Sequence, residues 1–336
     1  MKYKLRMLRH INFDKLNNII KEISKKNNKS KIYIFFDMLF SYIKHGSGYY
    51  DYYLFDFINL NEEQRKTMVT RSRNKKLISL LNDKKYTNIF DNKSEFDKLF
   101  AEFLNRDILI LKESNYDDFI KFMKNKEEII AKPNSMEAGK GIRKLNKNNY
   151  KTLKNMYNDI LNDKNLDLLE ELIKQNKVYA KFNPESVNCL RIVTVIKDEK
   201  VFPIYCMFKI GNNDFRDNYH NGGICCMVDM ATGKIITNGK SSKENIIIKH
   251  PTTNVKFKGQ TLPHVADAVN MVIKAAKVIP EVGIVGWDVF VNEKGPGIIE
   301  GNNYPSYDFP QFPEFAVDKV GTWKKYKEII KELNKG

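Results

Sequence analysis

Cysteine is scarce in this chain: four among 336 residues. Cys225 and Cys226 are adjacent, and Cys189 and Cys206 fall in apolar, strand-like runs. No metal-binding spacing exists among them, so a zinc module and a disulfide framework are excluded and buried thiols in a reducing cytosol are expected. No stretch reaches the roughly 20 uninterrupted apolar residues that a membrane span needs. The start, Met1 to Arg6, is basic, but no apolar core or small-residue cleavage site follows it; no signal peptide is expected, and the location is read as cytoplasmic. The chain also lacks an internal repeat, a low-complexity linker, an RNA-binding or zinc-finger signature, and any Ser/His/Asp or Cys/His constellation.

What is present is globular. Apolar residues make up 42% and aromatics 12%, enough for two or three domains with substantial cores. The net charge of +16 admits two readings: a nucleic-acid footprint, or service to an anionic substrate or membrane surface. Lysines are scattered among asparagines rather than gathered in one Arg-rich stripe, so no nucleic-acid partner is expected.

Residues 1 to about 30 read as a basic helix whose polar face is as rich in Asn as in Lys, which favours packing over membrane contact. Ile32 to Ile43 is a second apolar run. The aromatic cluster from Tyr49 to Phe57 reads as core for an N-terminal helical layer. Asn61-Glu62-Glu63-Gln64 predicts a capped helix running to about Leu81. From Asn88 the pattern changes, with a helix over 95–104, a strand at 108–111, a helix over 116–124 and a strand at 128–133. The segment Asn134 to Ile142 follows. Its Gly139 and Gly141 would let backbone N–H groups approach phosphate oxygens, with Lys132 adding charge; as a bare Gly-Lys-Gly it could equally be a turn. It is neither a Walker loop nor a Rossmann fingerprint.

Leu166 to Gln175 is an apolar strand running into Glu170 and Glu171. Such a strand end can hydrogen-bond an adenine edge, or simply leave the sheet. Asn188 to Ile196 is a strand holding Arg191, which either completes a structural ion pair or faces an anionic reactant. Val201 to Ile210 returns antiparallel and carries Lys209. His220, in the Gly-flanked turn Asn218 to Gly223, reads as a hydrogen-bonding loop residue. A helix over about 263–278 then leads to Gly286-Trp287-Asp288-Val289-Phe290-Val291, a turn from Asn292 to Gly297, and Ile298 to Asn303. This predicts a β-hairpin. Strict alternation points Ile298, Glu300 and Asn302 one way. If Asp288 faces them, two carboxylates and an amide oxygen converge, and a hard oxygen set suits Mg²⁺.

In this order, Lys93, Lys132 with its small-residue loop, Glu170-Glu171, Arg191, Asp288 and Glu300-x-Asn302 resemble the ATP-grasp superfamily. The runs SVNCLRIVT (186–194), NGGICCMVDMATG (221–233), HP (250–251), GWDVF (286–290) and IIEGNNYP (298–305) resemble its sugar-transfer-associated branch, tied to surface-polysaccharide gene clusters and related to α-L-glutamate ligases. The resemblance covers most of residues 90 to 315. It implies an α+β fold with two lobes sandwiching ATP behind a mostly helical N-terminal region: 1–87 helical, 88–175 the N-lobe and 176–336 the C-lobe. It further implies that Lys93 and Lys132 bracket the α- and β-phosphates, that the loop with Ser135, Gly139 and Gly141 closes over the β/γ end, and that Glu170, Glu171, Leu172 and Ile173, with Gln175 beyond, hold adenine. Asp288, Glu300 and Asn302 would hold one or two Mg²⁺ ions, and Arg191 and Lys132 would act on the transferred phosphoryl group. The acidic ribose ligand usual after the hinge is missing, with Gln175 and Lys177 in its region, and the N-terminal third lacks the usual βαβ pattern. Asn188, Lys209, His220 and Asn221 are candidate substrate contacts.

The implied reaction is carboxylate–amine ligation through an acyl phosphate, joining an amino acid or amine to an acidic glycan precursor. A kinase-like phosphotransfer and a non-catalytic nucleotide-binding accessory role are the rivals. Contact with an anionic membrane or polysaccharide machinery stays open, as does the oligomeric state.

Overall fold

Capping and apolar periodicity set the helices of the N-terminal region. In the computed structural model, which describes residues 12–134, 141–212, 219, 222–242, 246–331 and 333, Asn12 caps the helix Phe13–Asn27 and Ser30 caps Lys31–His45. Asn61 and Gln64 form the expected reciprocal capping box on Glu62–Thr67. That helix stops well short of Leu81, and a separate one spans Arg71–Leu81. The break has a local cause: the Gln311 amide accepts from Val69 N at 2.6 Å and donates to Val69 O at 3.1 Å, replacing bonds a continuous helix would supply. Of the aromatic cluster, Tyr52, Phe55 and Phe57 join Ile34 and Met38 in a core, whereas Tyr50 and Tyr53 stay exposed.

The described residues fall into two compact units, one within Met1–Ser79 and Ser306–Gly336, the other Leu80–Pro305. The second holds two antiparallel sheets. Strands β1 (Ile108–Ile110), β2 (Glu128–Lys132), β3 (Arg143–Asn146) and β4 (Leu168–Glu171) form a four-stranded sheet in the order β1-β4-β2-β3. Helices Tyr116–Met123 and Leu153–Asn162 bury Phe119, Phe122, Met156 and Ile160 against Ile129, Ala131 and Leu169. Strands β5 (Cys189–Lys197), β6 (Lys200–Ile210), β7 (Ile224–Val228), β8 (Ile284–Asn292) and β9 (Gly295–Asn302) make a five-stranded sheet ordered β7-β6-β5-β8-β9. One face, with Leu190, Ile192, Phe208, Trp287 and Val289, packs with the helix Val265–Ala275. All four cysteines are buried free thiols. The mixed helix and antiparallel-sheet architecture with a helical N-terminal region is the one the sequence implied. Among the described residues, no helix is long and apolar enough to cross a membrane.

The β8–β9 hairpin departs from the simple reading in two ways. Pairing continues to Asn292 opposite Gly295, so only Glu293 and Lys294 turn the chain. A register shift after Asp288 leaves Ile299 unmatched: Val289 faces Ile298 while Asp288 faces Glu300. Strict alternation therefore fails at this β-bulge. Ile298 enters the core with Val289, and Glu300 and Asn302 take the opposite face.

Candidate functional site

Register alone gathers most of the polar candidates onto one face of the five-stranded sheet. Arg191 on β5 pairs with Asp288 on β8, Asp288 with Glu300 on β9, and Gly286 with Asn302. Residues directly opposite in a sheet share a face. On β6, Lys209 lies two residues beyond Met207, the partner of Arg191, and so joins that face. Gly286 is required here: a Cβ would stand 3.3 Å from Arg191 Cδ and 2.9 Å from Pro305 Cβ. Glycine opens the space that the guanidinium occupies.

Asp288 is buried and gripped by two cations. Arg191 Nη2 donates to its Oδ2 at 2.8 Å, with a second bond from Nε to Oδ1, and Lys209 Nζ donates to Oδ2 at 3.1 Å. Burial pushes the Asp288 carboxyl up, but Arg191 and then Lys209 hold it well below the usual carboxylate range. Of the two readings open for Arg191, the structural ion pair is therefore present. Glu300 differs. Its side chain reaches solvent at the mouth of a cleft, and among the described residues its carboxylate makes no hydrogen bond or ion pair. Crowding by protein and then the Asp288 charge push its pKa up. Asn302 Oδ1 accepts from Tyr304 N at 2.9 Å, which leaves it a further lone pair.

The cleft also takes residues from the four-stranded sheet. Phe90, Lys93, Phe96, Asp97, Lys132 and Glu170 line it with Glu300. Lys93 is the first residue of the helix Lys93–Leu99, capped by Asn92, rather than part of a preceding loop. Its pKa is lowered by burial, which the Glu300 charge partly offsets. Lys132 closes β2 and donates to Glu170 Oε2 at 2.6 Å. The same carboxylate receives Arg106 Nε at 3.2 Å and Nη2 at 3.3 Å. Burial would raise the Glu170 pKa, but Lys132 and Arg106 bring it down to about 2. Nearby Asp97 is 2% exposed, with Oδ2 lacking a partner and Arg106 3.9 Å from its Oδ1. Burial pushes it up to about 7.

The structure commits several candidate side chains to contacts within the protein. The Glu170 carboxylate, only 3% exposed, is taken up by Lys132 and Arg106. Glu171 accepts from Asp107 N at 3.1 Å, fastening the start of β1; Leu172 and Ile173 follow it, half-buried. Gln175 is structural: its amide donates to the carbonyls of Asn183 (3.0 Å) and Ser186 (2.6 Å), and its oxygen accepts from Asn188 N at 3.1 Å. Asn188, fully buried, completes that latch through the Tyr179 and Asn183 carbonyls, at 3.0 and 2.8 Å. Both side chains are thus hydrogen-bonded within the fold. Gly141 is left-handed (φ +72°), as a turn needs. Ser135, Gly139, His220 and Asn221 lie outside the described residues. Arg106 and Asp97 were not anticipated. The test that singled out Arg191, an arginine inside an apolar strand, passes over Arg106, which lies two residues before β1.

Among the described residues no group of three or more Asp, Glu, His or Cys could hold a metal. The available donor set is hence Glu300, the remaining lone pairs of Asp288, and the Asn302 amide oxygen. An all-oxygen set with one uncommitted carboxylate fits Mg²⁺, which binds through one or two carboxylates and completes its shell with water and phosphate. Lys93 and Lys132 line the same cleft.

A family model described as sugar-transfer associated ATP-grasp matches residues 72–318. Among solved structures, the ATP-grasp ligase PsnB complexed with minimal precursor is similar at 14% identity and a TM-score of 0.44, over 79% of this chain and 71% of that one. D-alanine–D-alanine ligase from Bacillus anthracis is similar at 15% identity and a TM-score of 0.39, over 72% of this chain and 66% of that one. No curated protein matches the chain.

Proposed function

We propose, for a chain that belongs to the sugar-transfer associated ATP-grasp family, an ATP- and Mg²⁺-dependent carboxylate–amine ligase that works through an acyl phosphate. Its acid is an acidic sugar or glycan precursor, and its amine an amino acid or similar compound, in surface-polysaccharide biosynthesis. The observation that carries this reading is one cleft lined by Lys93 and Lys132 on one wall and by the uncommitted carboxylate of Glu300 on the other. The family description and the basic balance of the chain support the sugar-acid assignment.

Mg²⁺, when bound by Glu300, Asp288 and Asn302, would neutralise triphosphate charge. Lys93 and Lys132 orient the phosphates, and backbone groups at the end of β4, rather than the Glu170 carboxylate, face the adenine. Arg191 and Lys209 keep Asp288 ionised and sit beside the transferred phosphoryl group. That group passes to the carboxylate oxygen of the acid. The amine then attacks the acyl carbon, the acyl–phosphate bond breaks, and an amide is left with ADP and phosphate. Positioning and electrostatics suffice for this, and no side-chain nucleophile is needed.

ADP release measured over panels of uronic acids and amino acids tests the reading. Release should require both an acid and an amine; release with a hydroxyl acceptor alone would replace the ligase with a kinase. In the same assay Glu300→Gln should lower Mg²⁺-dependent turnover by at least ~100-fold while the thermal midpoint stays within a few degrees. Unchanged turnover would remove the metal assignment.

A further inference from the structure

The helix Lys31–His45 is apolar on two faces. Ile34, Met38, Ser41 and His45 point inward and are buried. Ile32, Phe35, Phe36, Leu39, Phe40 and Ile43 recur at the i, i+3, i+4, i+7 spacing of a second face, and all six are exposed, Ile32 at 72%, Phe36 at 61% and Ile43 at 60%. A surface helix of a globular domain ordinarily turns polar residues to water there. Six large apolar side chains on one face mark a docking surface.

The charge around it selects the occupant. Lys29 and Lys31 stand at one end of the helix and Lys44 at the other; Lys29 Nζ lies 5.0 Å from the Tyr33 ring centroid and Lys44 Nζ 5.2 Å from that of Phe40. The Lys29 and Lys44 ammonium groups thus lie beside rings of this helix, that of Lys44 also 2.7 Å from Glu62 Oε1. The first 50 residues contain eleven Lys and Arg against three Asp and Glu, a balance of +8. Half of the chain's net charge of +16 therefore falls within the first 50 residues of the sequence. Of the acids, Asp37 is already paired with Arg65 at 2.7 Å. Fifteen helical residues extend ~22 Å, too short to cross a bilayer but suited to lying along one.

We infer that this face seats the protein on an anionic membrane surface. The aromatic and aliphatic side chains enter the headgroup boundary, and the flanking lysines meet lipid phosphates. This seating is independent of the ligase reading, since none of these residues lines the cleft.

The test is co-sedimentation of the full chain with phosphatidylcholine vesicles and with vesicles containing one third phosphatidylglycerol, at low and high salt. Binding is expected only to the anionic vesicles and should weaken as salt rises. The double variant Phe36→Ser/Phe40→Ser should bind at least ~10-fold more weakly, and Lys29→Gln/Lys31→Gln should lose roughly fivefold per lysine. Circular dichroism checks that each variant is folded, and ADP release should be unaltered. Absence of vesicle binding by the unaltered protein would overturn the inference. So would sedimentation velocity showing a dimer that Phe36→Ser/Phe40→Ser dissociates, because a second copy would then cover the face.

Discussion

Each sheet of the 80–305 unit carries a buried carboxylate gripped by two cations, and the two grips leave opposite remainders. At Glu170, Lys132 and Arg106 share one carboxylate. Burial pushes the Asp97 carboxyl beside them up to about 7, and Lys93 lines the same wall. This wall of the cleft is electropositive. At Asp288, Arg191 and Lys209 also share one carboxylate, but Glu300 stands next to it across the strand pair. Four charges balance, and the uncommitted member is an anion. On the proposed function, the same local device would serve phosphate on one wall and a cation on the other. What separates them is a single further carboxylate and whether it has a partner.

Removing Arg191 tests whether the grips differ in function as well as in charge. Arg191→Ala should reduce turnover by ~10–100-fold with little change in ATP affinity, as measured by single-turnover kinetics beside nucleotide titration. A loss confined to nucleotide affinity would make Arg191 the equivalent of Lys132 and erase the contrast.

Glu170→Gln probes the other grip, where the expected effect is on folding. Lys132 and Arg106 would remain buried without a full counter-charge, at a loss of roughly 3–5 kcal/mol by urea unfolding. The pH dependence sharpens this. The Glu170 pKa is depressed on folding from 4.5 to about 2, so its contribution is complete above about pH 4.5 and disappears as pH falls toward 2. The variant should lack that acid limb, and a wild-type acid limb in Glu170→Gln would show that the carboxylate is not held ionised.

Away from both grips, Asn188→Ala should cost ~1–3 kcal/mol, because the Tyr179 and Asn183 carbonyls lose a buried donor. The KM values should not move. A rise in KM for acid or amine without destabilisation would return Asn188 to the substrate site.

The remaining prediction concerns Asp97. Its pKa is raised on folding, so the folded state binds the extra proton and stability falls as pH rises from about 4 to about 7, then levels off. Asp97→Asn removes this titration. Its stability relative to wild type should therefore climb across that range, by at least one pKa unit's worth, ~1.4 kcal/mol, in thermal midpoints measured against pH. A flat difference would mean that Asp97 ionises normally, and the net positive charge of the Glu170 wall would then be one unit smaller.

Much of this was legible in the chain itself. Apolar periodicity and capping residues marked the helices and strands, because backbone geometry imposes its repeat on any sequence that buries one face. The same pattern marked the β8–β9 hairpin, while the facing of Asp288 and Glu300 stayed conditional until the register was known. Partnership could not be read. That Lys209 and Arg191 both spend their charge on Asp288, that Glu170 is claimed by an arginine 64 residues earlier, and that Gln175 and Asn188 form a latch all depend on which strands lie side by side. The bulge that turns Ile298 into the core while keeping Glu300 in the cleft was equally out of reach. A hydrogen bond or ion pair is decided by distances of an ångström between segments remote in sequence, and only the folded chain sets those.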